Sequence, residues 1–591
     1  MRFFRNHRFI LFSIVLFAIF LRSLPAWLYP AWGGDLGIYF GIASRILETK
    51  SIFVDYDGWG SSYNYFPMLY LISLSVHLAT GIDLLTVMTR TAPIIGGLTI
   101  LIFYLIMMEL TRKRKIALLS SALLAVAPFH VYQTSHAAPL TVGHFFMLLC
   151  ILFFIKCRNN IKFLPLLLLS TLALILSHHL TTYFYLISIL GMISWRNFKF
   201  KIPKKEIAND LIYLFTASAL TFSYWKFVAK PVYYSFMKGG LHLEPWKVVA
   251  LYFLVVVLSI YISSVLRESK KLRELLSKIS SRWHHGFSKI LFLSIAGFIL
   301  MEIPFLFFEI PTTWVKLNPT TVILSIPVIV FFSIALAGVP FLSMDKNRSF
   351  LQGWLLAISI SLLYSLITIN TTLYPYRHME YLVVPLSACG AFGVAEIGSK
   401  IRTEVPLLKK LIKRLSAEVS VISMVMFVIL SNALIAYPAS YSIGHLDERY
   451  SNCCFSAIEW LKNNTNGNDT IATDLRLSDF IWAHGMKATF DKTNVTWICE
   501  NWTECIDELE ENEHHGRVTY ILIDDVMRNS VVYLNVDLHV KMSNESYNKF
   551  SREPFEMVFR NATLDDHGRE IHWAEVYRIN WSYIEEFKTS S

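Results

Sequence analysis

The chain has 591 residues, of which 54% are hydrophobic and only 17% charged. A soluble protein carries about 25% charged residues, so the composition excludes a chain that is soluble throughout and points to several membrane spans. The net charge of +10 divides into +22 for residues 1–440, from 40 Lys and Arg against 18 Asp and Glu, and −12 for residues 441–591, from 14 against 26.

Two solvents are implied, lipid for the first part and water for the second. The basic residues lie in short loops between apolar runs, as membrane topology demands, and a nucleic-acid partner is discounted on that ground. The N-terminal M-R-F-F-R-N-H-R with its apolar run has the look of a signal peptide. The run 9–29 is long enough to span, however, and no small-residue cleavage site follows, so it reads as a retained first helix.

Just beyond it comes W-G-G-D-L-G-I-Y (32–39), which sets a carboxylate, Asp35, at the membrane surface after two turn-permitting glycines. Asp35 has two readings, a cap for the helix that follows or a chemical centre. Leu36, Tyr39, Phe40, Ala43, Ile46 and Leu47 then recur at helical spacing while Arg45 and Glu48 face elsewhere, which predicts an amphipathic helix lying in the membrane interface. An aromatic, Gly-rich stretch leads to Pro67, and a second short apolar run ends at Gly81; it too is laid in the interface.

A span needs about 20 apolar residues. Thirteen stretches fit, near 9–29, 87–108, 116–132, 139–156, 163–178, 180–195, 208–228, 246–266, 289–308, 321–343, 350–369, 379–397 and 417–438, the fifth and sixth parted only by His178 and His179. With the N-terminus inside, the inside loops hold 30 of the 40 Lys and Arg that precede residue 441, the asymmetry that the positive-inside rule requires. That topology places the loop 30–86 and everything after the last span outside.

From His445 strand and helix signals alternate, at 470–474, 477–484, 518–525, 556–560 and 571–579. The expectation is a multi-span α-helical membrane protein of about 13 transmembrane helices (residues 1–440) with a C-terminal extracytoplasmic α/β domain (441–591). Seven N-x-S/T acceptors, at Asn463, Asn468, Asn494, Asn501, Asn544, Asn561 and Asn580, agree with an external surface. An oxidising compartment would permit one or two disulfides among Cys453, Cys454, Cys499 and Cys505, whose connectivity the sequence leaves open.

No Walker loop, G-x-S-x-G, H-E-x-x-H or CxxC pair is present, so the usual cofactor and protease readings lose their support. What remains is a set of polar residues at the outer ends of spans. Asp35, Asp55 and Asp57 lie in the first outer loop; the last two, in D-Y-D-G, also suit plain turn chemistry. His136 sits in S-H-A-A-P and His144 one to two turns inside the next span. His178 and His179 mark a helix break, where hydrogen bonding to backbone is their plainer role. Glu309 follows the ninth span, and Arg377, His378 and Glu380 lie in the last outer loop. Arg377, one of few outer cations, suits a bidentate grip on phosphate or snorkelling to lipid headgroups.

The order W-G-G-D-L-G-I-Y-F-G-I-A-S-R-I-L, Y-F-P-M-L-Y, Arg90, the basic turn Arg112–Lys115 and S-H-A-A-P-L-T-V-G-H-F-F resembles the GT-C superfamily of membrane glycosyltransferases. That group includes protein O-mannosyltransferases, lipid A aminoarabinose transferases and the oligosaccharyltransferase catalytic subunit. The likeness covers roughly the first 200 residues in motifs and the later spans in layout, and A-I-E-W-L-K-N-N-T to T-D-L-R-L-S-D-F-I-W-A-H-G is similar to the start of the oligosaccharyltransferase C-terminal domain. Where those enzymes carry the acceptor-binding signature W-W-D-Y-G, this chain has A-T-D-L-R-L-S-D. Where many relatives have a second acid in the second outer loop, it has His136 and Pro139.

The resemblance implies an inverting glycosyltransferase that takes a sugar from a polyprenyl-phosphate-linked donor and delivers it to a protein, lipid or glycan acceptor on the outer face. Asp35 would be the general base, with Arg377 and His378 at the donor phosphate. His136, His144, His178, His179, Asp55, Asp57, Glu309 and Glu380 would be candidates for contacts to substrate or to a divalent cation, Mg or Mn. An archaeal plasma membrane is expected, since F-K-T-S-S is no eukaryotic retention signal. A flippase for lipid-linked sugar would share the basic loops and the broken fifth and sixth helices but would show internal repeats. A non-catalytic scaffold would leave Asp35, Arg377 and the His136 turn dispersed.

Overall fold

The computed structural model describes residues 7–590 except 57, 59, 242, 308–318, 343–344, 369–371, 404–416, 438–446, 513–515 and 536–537. All thirteen apolar stretches contain helix. Among the described residues seven helices are long and apolar enough to cross a membrane: His7–Leu28, Leu84–Thr111, Pro139–Asn159, Pro245–Glu268, Pro319–Leu342, Ser349–Thr368 and Pro375–Ile397. An eighth is counted if Lys204–Phe227 and Lys230–Met237, bent by 107° at their junction, make one span. The chain is an integral, multi-pass membrane protein.

The expected count of about thirteen is therefore not met by helices that qualify alone, and the reasons are local. The stretch 116–132 is split at Pro128, whose ring cannot continue the helix Arg114–Val126. Beside that break the buried guanidinium of Arg22 donates to the carbonyl of Ala125 at 3.1 Å and to the Thr134 hydroxyl at 2.7 Å, which satisfies polar groups no water would reach. The stretches near 163–178, 289–308 and 417–438 are short, and the helix His179–Lys199 dilutes its apolar residues with hydroxyl and basic side chains.

Beyond the bundle lies a five-stranded mixed sheet in the order β4-β3-β5-β9-β8. Strands β3 (Thr470–Ala472), β4 (Lys487–Thr489) and β5 (Tyr520–Asp524) are parallel; β9 (Glu570–Ile579) runs antiparallel to β5 and to β8 (Phe555–Leu564). The helix Asn452–Asn464 packs on β8 and β9. β6 (Val532–Asn535) and β7 (Leu538–Val540) form a separate hairpin. The α/β expectation is met. Five of the seven sequon asparagines, Asn463, Asn468, Asn501, Asn544 and Asn580, are exposed. All seven cysteines are unbonded, Cys453 turning to the Thr563 hydroxyl and Cys454 to the Asp524 carboxylate.

Two features tie bundle and sheet together. β1 (Ala31–Trp32) pairs antiparallel with β2 (Arg449–Tyr450), Ala31 opposite Tyr450 and Trp32 opposite Arg449. The helix Leu36–Thr49 lies directly under the helix Leu475–Ala483. Its apolar face, predicted to meet lipid, instead joins one core with Phe480, Ile481 and the strands of the sheet. Gly37 and Gly41 make that approach possible. A Cβ at Gly37 would lie 2.6 Å from the Phe480 nitrogen, and one at Gly41 would lie 2.3 Å from the Trp482 ring.

Candidate active site

The loop 32–35 is clamped before it reaches Asp35. Gly33 donates its N–H to the Glu448 carbonyl at 3.0 Å and adopts φ +123°, a conformation that favours glycine. Asp35 then takes the N-cap position of Leu36–Thr49, yet its side chain makes no capping hydrogen bond. Its Oδ2 instead accepts from the hydroxyls of Tyr39 at 3.2 Å and Tyr63 at 3.5 Å. Tyr39 is one turn along the same helix and Tyr63 comes from the aromatic loop, their rings meeting edge to face at 5.1 Å.

Asp35 is half-buried. Burial pushes its carboxyl above the ordinary range, the Arg377 guanidinium opposes this, and the Glu448 carboxylate adds to it; the Tyr39 hydrogen bond and His136 act downward. Segments far apart in sequence thus bring His136 and Arg377 within electrostatic reach of Asp35. Arg377, in the first turn of Pro375–Thr403, is half-buried beside the Tyr376 hydroxyl, 3.4 Å from its Nε.

The remaining sequence candidates divide. His136 stacks on Trp32 at 4.0 Å, with Nδ1 donating to the Tyr132 carbonyl at 2.8 Å and Nε2 2.8 Å from Glu448 Oε2. His144 and Glu380 are buried 3.7 Å apart inside the bundle. The His144 ring stacks on Tyr381 and faces His130, which in turn bonds Arg22. His378 does not turn toward Asp35: its ring nitrogens are taken by the Ser361 hydroxyl at 2.9 Å and the Tyr374 carbonyl at 3.1 Å. His178 caps the next helix through the Thr181 N–H, and His179 sits between Phe66 and Phe236. Asp55 is exposed, its carbonyl accepting from Arg45. Asp57 and Glu309 lie outside the described residues.

Sequence reading missed the groups that the sheet region contributes. Glu448 accepts from the Tyr132 hydroxyl at 2.7 Å as well as meeting His136. It reaches the His136 loop from beyond the last span. Asp479 is buried against Gly37, and among the described residues no group hydrogen-bonds its Oδ2; burial, then the Asp35 charge, hold its carboxyl well above the usual range. Tyr533, on β6, lies 4.0 Å from a Cβ built on Gly34. The available signals were faint: Tyr39 four residues after Asp35, and the charged run L-D-E-R-Y that follows the last span.

Among the described residues no three His, Cys, Asp or Glu side chains gather in a way that would hold a metal ion. Among the described residues, His136 and Glu448 are paired with each other beside Asp35.

No family model matches the chain, and no curated protein sequence does. Solved structures are similar to it. The apo oligosaccharyltransferase of Archaeoglobus fulgidus aligns at TM-score 0.53 and 13% identity over 96% of this chain and 74% of that one. ArnT from Cupriavidus metallidurans aligns in its apo state at TM-score 0.39 and 11% identity, covering 97% of each chain. Bound to undecaprenyl phosphate it aligns at 0.34 and 14%, over 96% of this chain and 97% of that one. The fold, a multi-span bundle with a C-terminal sheet region, is similar to that of the Archaeoglobus fulgidus oligosaccharyltransferase structure.

Proposed function

We propose that this protein is a membrane glycosyltransferase that moves a sugar from a polyprenyl-phosphate-linked donor to an acceptor on the extracytoplasmic face, with Asp35 as general base. The observation that carries the reading is the Asp35 carboxylate itself. It makes no capping hydrogen bond to the backbone of its helix, accepts from two tyrosine hydroxyls and lies within reach of the Arg377 charge, in a fold shared with an oligosaccharyltransferase.

In this mechanism Asp35 takes the proton of the acceptor hydroxyl or amide as its oxygen or nitrogen attacks the anomeric carbon. The carbon–oxygen bond to the phosphate breaks on the opposite face, its electron pair leaves with the polyprenyl phosphate, and the configuration inverts. A phosphate is a stable leaving group, so cationic stabilisation by Arg377 replaces a general acid.

A positioned base contributes about 10²–10⁴-fold. Asp35→Asn in purified protein, supplied with a panel of polyprenyl-phosphate sugars and assayed by mass spectrometry of the product, should lose transfer by that factor. Undiminished transfer would overturn the role of Asp35, and no product from any donor with the wild-type chain would overturn the function.

A further inference from the structure

His136 and Glu448 touch the Asp35 site but have no part in the mechanism above. We propose that Glu448 is a positioning residue of the site: it holds His136 flat against Trp32, so that the sheet region completes the active site through one carboxylate. The inference rests on the reading of Asp35 as the reacting base.

Glu448 grips the loop twice. Its carbonyl accepts the Gly33 N–H at 3.0 Å, and its carboxylate meets His136 Nε2 at 2.8 Å and the Tyr132 hydroxyl at 2.7 Å. Glu448 immediately precedes β2, whose pairing with β1 brings its main chain alongside Gly33. His136 Nδ1 faces a main-chain carbonyl, which can only accept, so the ring hydrogen sits on Nδ1. Nε2 faces the Glu448 carboxylate at the same time, so the ring is held at both nitrogens and cannot turn without leaving them unmatched.

The consequence reaches Asp35 through contact. The His136 ring stacks on Trp32 at 4.0 Å, and its Cδ2 would lie 3.1 Å from a Cβ at Gly33. Gly33 and Gly34 join Trp32 to Asp35, so a ring that swings out of its slot moves the base. A misplacement of about 1 Å at a reacting group costs about 100-fold in rate.

The test is a kinetic comparison of full-length Glu448→Ala, Glu448→Gln, His136→Ala and the Glu448→Ala/His136→Ala double variant. The substrate is whichever polyprenyl-phosphate sugar the wild type accepts. Glu448→Ala should lower kcat about 10–100-fold with the donor KM changed less than about twofold, a loss of placement rather than of binding. Glu448→Gln keeps a hydrogen-bonding group opposite Nε2 and should recover kcat to within about fivefold of wild type. His136→Ala should match Glu448→Ala, and the double variant should be no slower than either, because the pair acts as a unit. Full kcat in Glu448→Ala, a loss confined to KM, or losses that multiply in the double variant would each overturn the proposal while leaving the glycosyltransferase reading intact. Should Glu448→Ala fail to fold, His136→Ala decides alone: reduced kcat supports the pair and unchanged kcat overturns it.

Discussion

Asp35 ionises in a setting that pulls in two directions, and the balance has a visible consequence. Burial, with Glu448 behind it, holds the proton on; Arg377, the Tyr39 hydroxyl and His136 help it off. The net shift is upward, so the carboxylate needed for proton abstraction is lost as pH falls through a value above the ordinary Asp figure of about 3.9. The acid limb of kcat/KM should lie above that value. Tyr39→Phe removes a hydrogen bond that favours the ionised form and should move the limb to still higher pH; a limb that stays put in this variant would contradict the assignment. A second residue-scale prediction concerns Arg476, which is 2% exposed and pairs with Asp524 at 2.7 Å and Asp474 at 3.3 Å. Asp524 ends β5, Asp474 lies two residues beyond β3, and each caps the helix that follows it. Arg476→Ala leaves two buried carboxylates without their cation and should cost about 3–5 kcal/mol in a denaturant or thermal unfolding measurement. Asp35 and Arg377 were legible in the sequence because each stands at the end of an apolar run, where a charge has few structural excuses. Glu448 was not, since nothing local links it to His136 and the whole bundle separates them.

At the scale of elements, the helix Leu36–Thr49 shows what a hydrophobic pattern does and does not say. Its period identified a helix with one apolar face, and the helix is there. The pattern is silent on whether that face meets lipid or protein, and the lipid assignment was the wrong one. A finer signal was present in Gly37 and Gly41, one turn apart on one face, which mark a close backbone neighbour rather than fluid acyl chains. Gly37→Ala and Gly41→Leu push side-chain atoms into Phe480 and Trp482, and overpacking of this kind typically costs about 1–3 kcal/mol. Thermal unfolding should register both, whereas Gly467→Ala, with no atom within 4 Å of the added Cβ, should be silent. All thirteen apolar stretches hold helix, yet among the described residues only seven or eight qualify as spans alone, because helices packed inside protein can be short, broken at Pro128 or rich in hydroxyls and still lie in a bundle.

For the molecule as a whole, the division into a basic apolar part and an acidic polar part was read from charge alone, and the sheet region lies where the acidic part was expected. The positive-inside expectation from the loops puts that region outside the cell, a proposal that cysteine labelling tests directly. Gly467 and Lys270 are both exposed, the first in the sheet region and the second in a loop assigned to the inside. The native cysteines are buried apart from the half-buried Cys157, so an introduced thiol should dominate. A membrane-impermeant maleimide should label Gly467→Cys in intact cells and reach Lys270→Cys only after lysis; the reverse pattern would invert the topology.

The pairing of β1 with β2 also has a meaning in time. Trp32 leaves the ribosome early, but its partner Arg449 is made 417 residues later (449 minus 32), an interval of roughly 20–80 s at about 5–20 residues per second. Throughout that interval the spans can enter the membrane while the loop that carries Asp35 lacks the strand that shapes it. A nascent or truncated chain would therefore sit in the bilayer without a working centre, and competence would arrive late, when the water-soluble end of the polypeptide folds back onto its beginning.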